Sequence, residues 1–338
     1  MNKVLIANGV QVNLKMLNRH GLIAGSTGSG KTTTIKTLIN KLNKEGISVL
    51  ATDVKGDLAP NINNINHPKI THKFGDMNSN LLGLFLKANE VQTQALHILI
   101  NQYYKDACDL GSLDQLISCI NGALDYHTAW QKDGKTSPNT LATLQRLCYI
   151  ARDGGLDSII DDENFDYLEL LNSKANILDC TNFVTEPEAY AAYVLTMLDS
   201  LYKTLPEVGD LEKVKLVCFF DEAHLLFKGI NKDLLIKVEQ MIKLIRSKSV
   251  GVFFISQSPL DIPNEILSQL GNRIQHKLSA YTAKEQKALK ATAQSFRCLD
   301  PKALANEIGL LGIGEAIISM LNQDGIPCMA TRKKVLTN

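Results

Sequence analysis

One stretch, Gly25-Ser26-Thr27-Gly28-Ser29-Gly30-Lys31-Thr32, restricts this chain more than any other feature. It follows the phosphate-loop pattern of Gly, four residues, Gly, Lys, then Ser or Thr. Such a loop closes backbone N–H groups around an anionic oxygen, and a Cβ at its glycines would obstruct the turn. The apolar run Leu22-Ile23-Ala24 precedes it, and a helical stretch from Lys31 to about Asn43 follows, with Thr33 in its first turn. The order strand, loop, helix adds the partial positive charge of a helix N-terminus to the same anion. Residues Gly25 through Thr33 are therefore expected to bind a nucleotide, with Lys31 reaching the β- and γ-phosphates and the Thr32 hydroxyl ligating Mg²⁺. A plain Gly/Ser-rich connection is the bland alternative, and a second nucleotide motif further along weighs against it.

That motif is Val214-Lys215-Leu216-Val217-Cys218-Phe219-Phe220-Asp221-Glu222-Ala223-His224, a nearly continuous apolar strand ending in two carboxylates. Neighbouring residues at a strand end point in different directions, so the acids can take separate roles. In nucleotide hydrolysis the first, Asp221, sits by Mg²⁺ and the second, Glu222, polarises the attacking water. Asn231-Lys232-Asp233 lacks the spacer of a guanine-recognition motif, which favours ATP.

Ligands of open α/β sheets lie beyond the carboxyl ends of strands. Residues 46–52 read as another buried strand, ending at Asp53-Val54-Lys55-Gly56-Asp57, either the edge of the site or an ordinary turn. An amphipathic helix from Leu234 to about Ser247 delivers Arg246 just before the strand Val250-Gly251-Val252-Phe253-Phe254-Ile255. If that strand lies between the two motif strands, Gln257 at its end sits beside the γ-phosphate and senses whether the bond is intact. Arg273, opening a later strand, is a candidate to stabilise charge at a neighbouring subunit's nucleotide, or an ordinary ion-pair partner.

The remaining chain organises around these motifs. The pattern divides it into an α/β core over residues 1–59 and 173–338 and a mainly helical insertion over 60–172, with helical periodicity at Val91 to Tyr103, Leu113 to Ile120 and Leu141 to Ile150. Asn8-Gly9 between two short apolar runs signals a hairpin. Arg19 or His20 either approaches the nucleotide or lies in a solvated turn. His97, His127 and Trp130 read as packing or surface residues rather than ligands. With 338 residues, 45% apolar and 21% charged, the composition is that of a globular protein with a sizeable core. The formal net charge of +1 carries no polyanion-binding signature, and a ring of subunits could still gather lysines around a pore. Lys284, Lys287 and Lys290 recur on one helix face, read first as solvation and more sharply as contact with a phosphate backbone. Seven scattered cysteines without a Cys-x-x-Cys suggest neither a zinc site nor a disulfide framework. Together with the lack of a long apolar run, this gives the expectation of a cytoplasmic protein with no membrane association.

Taken together, these segments resemble the HerA/FtsK superfamily of ring ATPases, most closely YjgR-type HerA-like proteins. The resemblance runs through Asn18 to Gly25, Asp53-Val54-Lys55-Gly56-Asp57-Leu58, Leu205 to Gly209, Phe219 to Phe227, Ile245-Arg246-Ser247-Lys248, Pro259-Leu260-Asp261-Ile262-Pro263, Gly271-Asn272-Arg273 and Gly314-Glu315-Ala316. It implies a RecA-like P-loop NTPase sheet with helices on both faces, Mg²⁺-ATP, and a homo-hexamer with sites at subunit junctions. By the match, Lys31 and Thr32 hold phosphate and metal, Asp221 supports the metal, and Glu222 activates water. Gln257 senses, and Arg273 or Arg246 completes the site across the interface. The implied activity is an ATP-driven DNA translocase or helicase acting on double-stranded DNA. The rival reading is an ATP-controlled scaffold for a nuclease or other effector partner. The amino-terminal barrel of HerA proper is absent or reduced to residues 1–20, which bears on how a ring would hold together.

Overall fold

The computed structural model of the chain describes residues 3–73, 77–103, 112–125, 136–153, 159–160 and 165–337, so His127 and Trp130 lie outside the described residues. A hairpin opens the chain, with β1 (Lys3–Ala7) and β2 (Val10–Asn13) paired antiparallel around the Asn8-Gly9 turn. The main sheet is built from β3 (Gly21–Ala24), β4 (Ser48–Asp53), β5 (Ile65–Asn66), β6 (Ala175–Asp179), β7 (Leu216–Phe220), β8 (Val250–Ser256), β9 (Asn272–Gln275), β10 (Glu315–Ser319) and β11 (Thr331–Lys334). Its strand order is β11-β10-β9-β3-β8-β7-β4-β6-β5. The strands from β9 to β5 run parallel, while β10 runs against both its neighbours. The fold is a RecA-like α/β fold with a mixed central sheet.

Every residue of β7 and β8 is buried, because parallel strands in such a sheet are covered on both faces. Side chains alternate between those faces and feed two cores. Leu216, Cys218, Phe220, Val252 and Phe254 face α6 (Pro187–Thr204) and α7 (Lys232–Leu244). Val217, Phe219, Phe253 and Ile255 face α1 (Lys31–Lys44) and the opening hairpin. Phe219 and Phe253 lie 5.4 Å apart on one face, and Phe220 and Phe254 lie 6.1 Å apart on the other. Fully burying each such ring contributes about 1.5–3 kcal/mol, so the central strands are anchored from both sides.

The segment after β5 contains α2 (Ser79–Phe85), α3 (Glu90–Tyr103), α4 (Leu113–Asp125) and α5 (Pro138–Asp153). Helix α2 escapes the periodicity argument. It starts at Asn78, whose Oδ1 accepts from the N–H groups of Asn80 and Leu81. Leu81, Leu96, Leu116 and Leu141 of these helices join the apolar cluster that also holds Tyr190 of α6 and Val238 of α7. Val91 and Ile150, apolar and in phase with their helices, are exposed. Beyond β8 come α8 (Asn264–Leu267), α9 (Ala283–Gln294) and α10 (Pro301–Gly309), the last two closing a smaller core around Phe296 and Ile308. Lys284, Lys287 and Lys290 are all exposed on α9. No helix among the described residues is long and apolar enough to cross a membrane.

Candidate active site

Strand β3 ends at Ala24, and the chain turns through Gly25 (φ 153°), Gly28 (φ 75°) and Gly30 (φ 106°) before α1 begins at Lys31. A side chain could not stand at two of these glycines. A Cβ at Gly25 would lie 2.5 Å from the Cβ of His276, and one at Gly30 would lie 2.8 Å from the backbone N of Gly314. The loop is strapped from outside: Gly25 N–H donates to Ser256 O, Ser26 N–H to Lys277 O, and Gly314 N–H to Ser29 O. His276 clamps its base. Nδ1 donates to Glu315 O at 2.9 Å, and Nε2 faces the Thr34 hydroxyl at 2.9 Å. Burial lowers the His276 pKa to about 4, so the ring is neutral at pH 7 and accepts from Thr34. The first-turn N–H groups of α1, Lys31 to Thr33, have no helical acceptors and open toward the loop. Lys31 is buried, and its ammonium donates to the carbonyls of Gly25 and Ser26.

The carboxylate pair is set by β7 and locked by a closed cycle of hydrogen bonds. Asp221 N–H donates to Thr52 Oγ1 at 3.1 Å, Thr52 and the Tyr190 hydroxyl pair at 2.7 Å, and Tyr190 donates back to Asp221 O at 2.9 Å. Glu222 then takes φ 48°, a left-handed conformation that a non-glycine residue holds only where its surroundings enforce it. Its side chain is only 7% exposed. The Lys55 ammonium pairs with its Oε1, and His224 Nδ1 lies 3.1 Å from its Oε2. Burial would raise the Glu222 pKa, but the facing His224 and Lys55 override it and hold the carboxyl at about 2. Asp221 moves the other way, up to about 6, through burial and the adjacent Glu222 charge. The pair thus presents one firmly ionised acid and one pressed toward neutrality.

Lys55 stands at this cluster because Asp53 ties the following turn. Asp53 Oδ1 accepts from Gly56 N at 2.7 Å and Asp57 N at 3.2 Å, and Oδ2 accepts from Leu58 N at 2.9 Å. β4 pairs with β7, so the 53–58 turn flanks the carboxylates, and Lys55 reaches Glu222 from it. Strand β8 does lie between β3 and β7. Gln257 at its end is exposed and, with Ser26, Thr27, His224, Asp261 and Ser279, lines a cavity of about 330 Å³. A larger cavity of about 730 Å³ between the α2–α3 turn and the start of α7 holds none of the motif residues.

The two arginines are not brought to this cluster within the chain. Arg273 donates Nε to Leu270 O, one Nη to Ser295 O and the other to Leu267 O, fastening the end of α8 to α9. Arg246 precedes β8, at the opposite end of the sheet, in a cavity with Lys15, Arg19 and Asp210. Seven residues of strand, about 23 Å at 3.3 Å each, separate that end from Gln257. His20 also lies there, in neither of its expected places. It is fully buried, donating Nε2–H to Ile242 O and accepting from Val252 N–H. Arg19 faces Asp210 at 3.3 Å.

The residues present fit a magnesium nucleotide. Gly28, at the loop's tip, has nothing within 4 Å of where a Cβ would stand, leaving the mouth open. Thr32, in the first turn of α1, and Asp221, after β7, both carry hard-oxygen donors. No cluster of three or more His, Cys, Asp or Glu able to hold a metal occurs among the described residues.

A family model described as helicase HerA-like, C-terminal, matches residues 2–69 and 62–338. The chain belongs to that HerA-like family. It is 25% identical over 329 residues to the DNA double-strand break repair helicase HerA of Saccharolobus solfataricus, covering 91% of this chain and 63% of the relative. It is 24% identical over 343 residues to the DNA import protein CedB of Sulfolobus acidocaldarius, covering 96% of this chain and 54% of that one. The HerA-like chain therefore spans about half to two thirds of the length of these curated relatives. Among solved structures, the bacterial conjugative coupling protein TrwBdeltaN70 superposes with TM-score 0.73 at 15% identity, covering 100% of this chain and 89% of that one. VirB4 of Thermoanaerobacter pseudethanolicus gives 0.68 at 15%, covering 99% and 96%, and these likenesses speak for the fold. The plasmid coupling protein TrwB has been captured with ADP and Mg²⁺, and with a non-hydrolysable ATP analogue.

Sequence reasoning did not find the Lys55–Glu222–His224 contact, the Thr52–Tyr190 cycle or the His276 clamp. Each joins residues far apart in the chain. The available signals were the Asp-x-Lys-Gly-Asp turn at a strand end and the histidine two residues beyond the acid.

Proposed function

We propose that this HerA-like chain hydrolyses Mg²⁺-ATP and that turnover drives a ring-shaped motor, a homo-hexamer, along double-stranded DNA. One observation carries the first step: the phosphate loop, Gln257 and the Asp221-Glu222 pair end three adjacent parallel strands, β3, β8 and β7, on one edge of the sheet. In this reading Gly25 to Thr33 wrap the phosphates, Lys31 leaves its loop carbonyls for the β- and γ-phosphates, and Thr32 and Asp221 hold Mg²⁺. The metal supplies charge neutralisation of the phosphates. Glu222 takes the proton of the attacking water, a role worth about 10²–10⁴ in rate. Gln257 contacts the γ-phosphate side of the cavity. Because the Arg273 donors are engaged by carbonyls of their own chain, the arginine acting across a subunit junction is Arg246. The DNA substrate rests on the HerA relatives, and the YjgR-type subfamily on the Asp53–Leu58 and Pro259–Pro263 segments.

ATP turnover measured with and without double-stranded DNA, at low and moderate salt, tests this alongside Glu222→Gln. Stimulation by DNA that fades at the higher salt, with an inactive variant, is the expected result. Turnover indifferent to DNA points instead to the scaffold for a nuclease or other effector. An active Glu222→Gln protein removes Glu222 from the role of base.

A further inference from the structure

We infer that Lys55 reads the terminal phosphate of a bound nucleoside triphosphate, and that Glu222 is its resting partner. The inference rests on the nucleotide-binding reading above and adds to it a residue outside both motifs. Three features place Lys55 for this. The turn that carries it is held by the Asp53 carboxylate through the N–H groups of Gly56, Asp57 and Leu58, with Gly56 at φ 75°, so the side chain projects from a fixed base. Its side chain is 44% exposed, so it can change partners without disturbing the core. It also lies near enough to Lys31 that its charge helps to lower the Lys31 pKa, after burial.

Two ammonium groups, Lys31 and Lys55, thus gather at the carboxyl ends of the strands, and each rests on a local acceptor. Lys31 rests on the carbonyls of Gly25 and Ser26, and Lys55 on Glu222 Oε1. The terminal phosphate dianion of a nucleotide arriving in the loop competes for both. For Lys55 the exchange frees one oxygen of Glu222, the oxygen that a water needs. The base is then available only when the phosphate to be attacked is present. His224 Nδ1, 3.1 Å from Oε2, stays beside the carboxylate during the exchange.

The test is a double-mutant cycle read by equilibrium binding of ADP and of the imido analogue of ATP, both with Mg²⁺. Lys55→Ala should weaken the analogue by about tenfold, the scale of a lost hydrogen bond to a charged group, and leave ADP within about twofold. Lys55→Arg should restore most of that loss. Glu222→Gln releases Lys55 from its partner, so it should tighten the analogue several-fold, and that gain should vanish in the Lys55→Ala background. Unchanged ADP binding is the control that the variant is folded. Equal weakening of both nucleotides, or a Glu222→Gln gain that persists without Lys55, overturns the inference while leaving nucleotide binding intact. A wild-type protein that binds neither nucleotide overturns the nucleotide reading itself.

Discussion

His20 and Asn272 at the amino ends of the central sheet are held in the opposite way to Lys55 and Glu222 at its carboxyl ends. At the amino ends, His20 and Asn272 are neutral and matched to backbone. His20 joins Ile242 O at 2.7 Å to Val252 N at 3.1 Å, while Asn272 donates to Met16 O and His20 O and accepts from Leu321 N–H. At the carboxyl ends Lys55 and Glu222 are charged and matched to one another, His224 stands beside Glu222, and Lys31 rests on the carbonyls of its own loop. His20 and Asn272 are sealed in the core together with their backbone partners, so those contacts cannot be exchanged without unfolding and the amino end is a fastening. Charged side-chain partners can be exchanged for an anion and a metal, so the carboxyl end is suited to be a receptor. The difference is one of which partners are replaceable.

Five variants and a pH series would break or sharpen this contrast. The largest effect is expected for Lys31→Ala, which should lower ATP turnover by about 10²-fold or more through the loss of a preorganised charge. Its urea midpoint should match or exceed that of the wild type, since a buried cation has gone. A midpoint that collapses would mean the receptor end is also a fastening. His20→Ala should do the reverse. It leaves a buried N–H and a buried carbonyl without partners, at about 1–3 kcal/mol each, with nucleotide affinity changed little.

Acid should act next. His20 and His276 are both lowered from 6.5 to about 4, chiefly by burial. The folded state refuses protons that the unfolded chain takes, so their contribution is complete above pH 6.5 and is lost as pH falls toward 4. Each shift corresponds to at most about 3 kcal/mol. Asp221, raised from 3.8 to about 6, has the opposite sign, and its destabilising ionisation builds up between those values. Denaturant titrations at successive pH values should therefore show Asp221→Asn as more stable at pH 7 by about 1–3 kcal/mol. The variant should also lose stability more steeply between pH 6 and pH 4. A curve parallel to the wild type would show that Asp221 is not strained by its surroundings. Glu222, held at about 2, adds a separate loss between pH 4.5 and pH 2.

The smallest effect separates two glycines of one loop. Gly28→Ala meets nothing within 4 Å and bears only the left-handed penalty, about 1–2 kcal/mol. Gly30→Ala adds a clash with the Gly314 backbone at 2.8 Å, so its melting temperature should fall further. Equal melting temperatures would show that the tail does not brace the loop.

Much of this was legible before any coordinates. The phosphate loop and the Asp221-Glu222 strand are local patterns whose residues are chemically obliged to stand close in sequence, and both sit where their spacing placed them. The hairpin at Asn8-Gly9 and the helix α4 that carries Leu113 to Ile120 followed from turn chemistry and helical period. His20 was misread because a histidine beside Arg19 and Gly21 resembles a turn residue until Ile242 and Val252 arrive to cover it. Helix α2 was missed because its seven residues are too few to establish a period.

The sequence by itself determined which residue types could hold a phosphate and activate water, since a loop's glycines, its lysine and a strand-end acid pair lie within short windows. Only the tertiary structure decided which of them meet. Strand order put β8 between β3 and β7, set Gln257 by the loop, carried Arg246 to the far end and turned Arg273 onto its own carbonyls. It also brought Lys55 to Glu222 across 167 positions of chain, the difference between 222 and 55. Local chemistry needs only neighbours along the chain. Pairing of charges across a sheet depends on the order in which strands pack, and that order is set by burial of both faces at once.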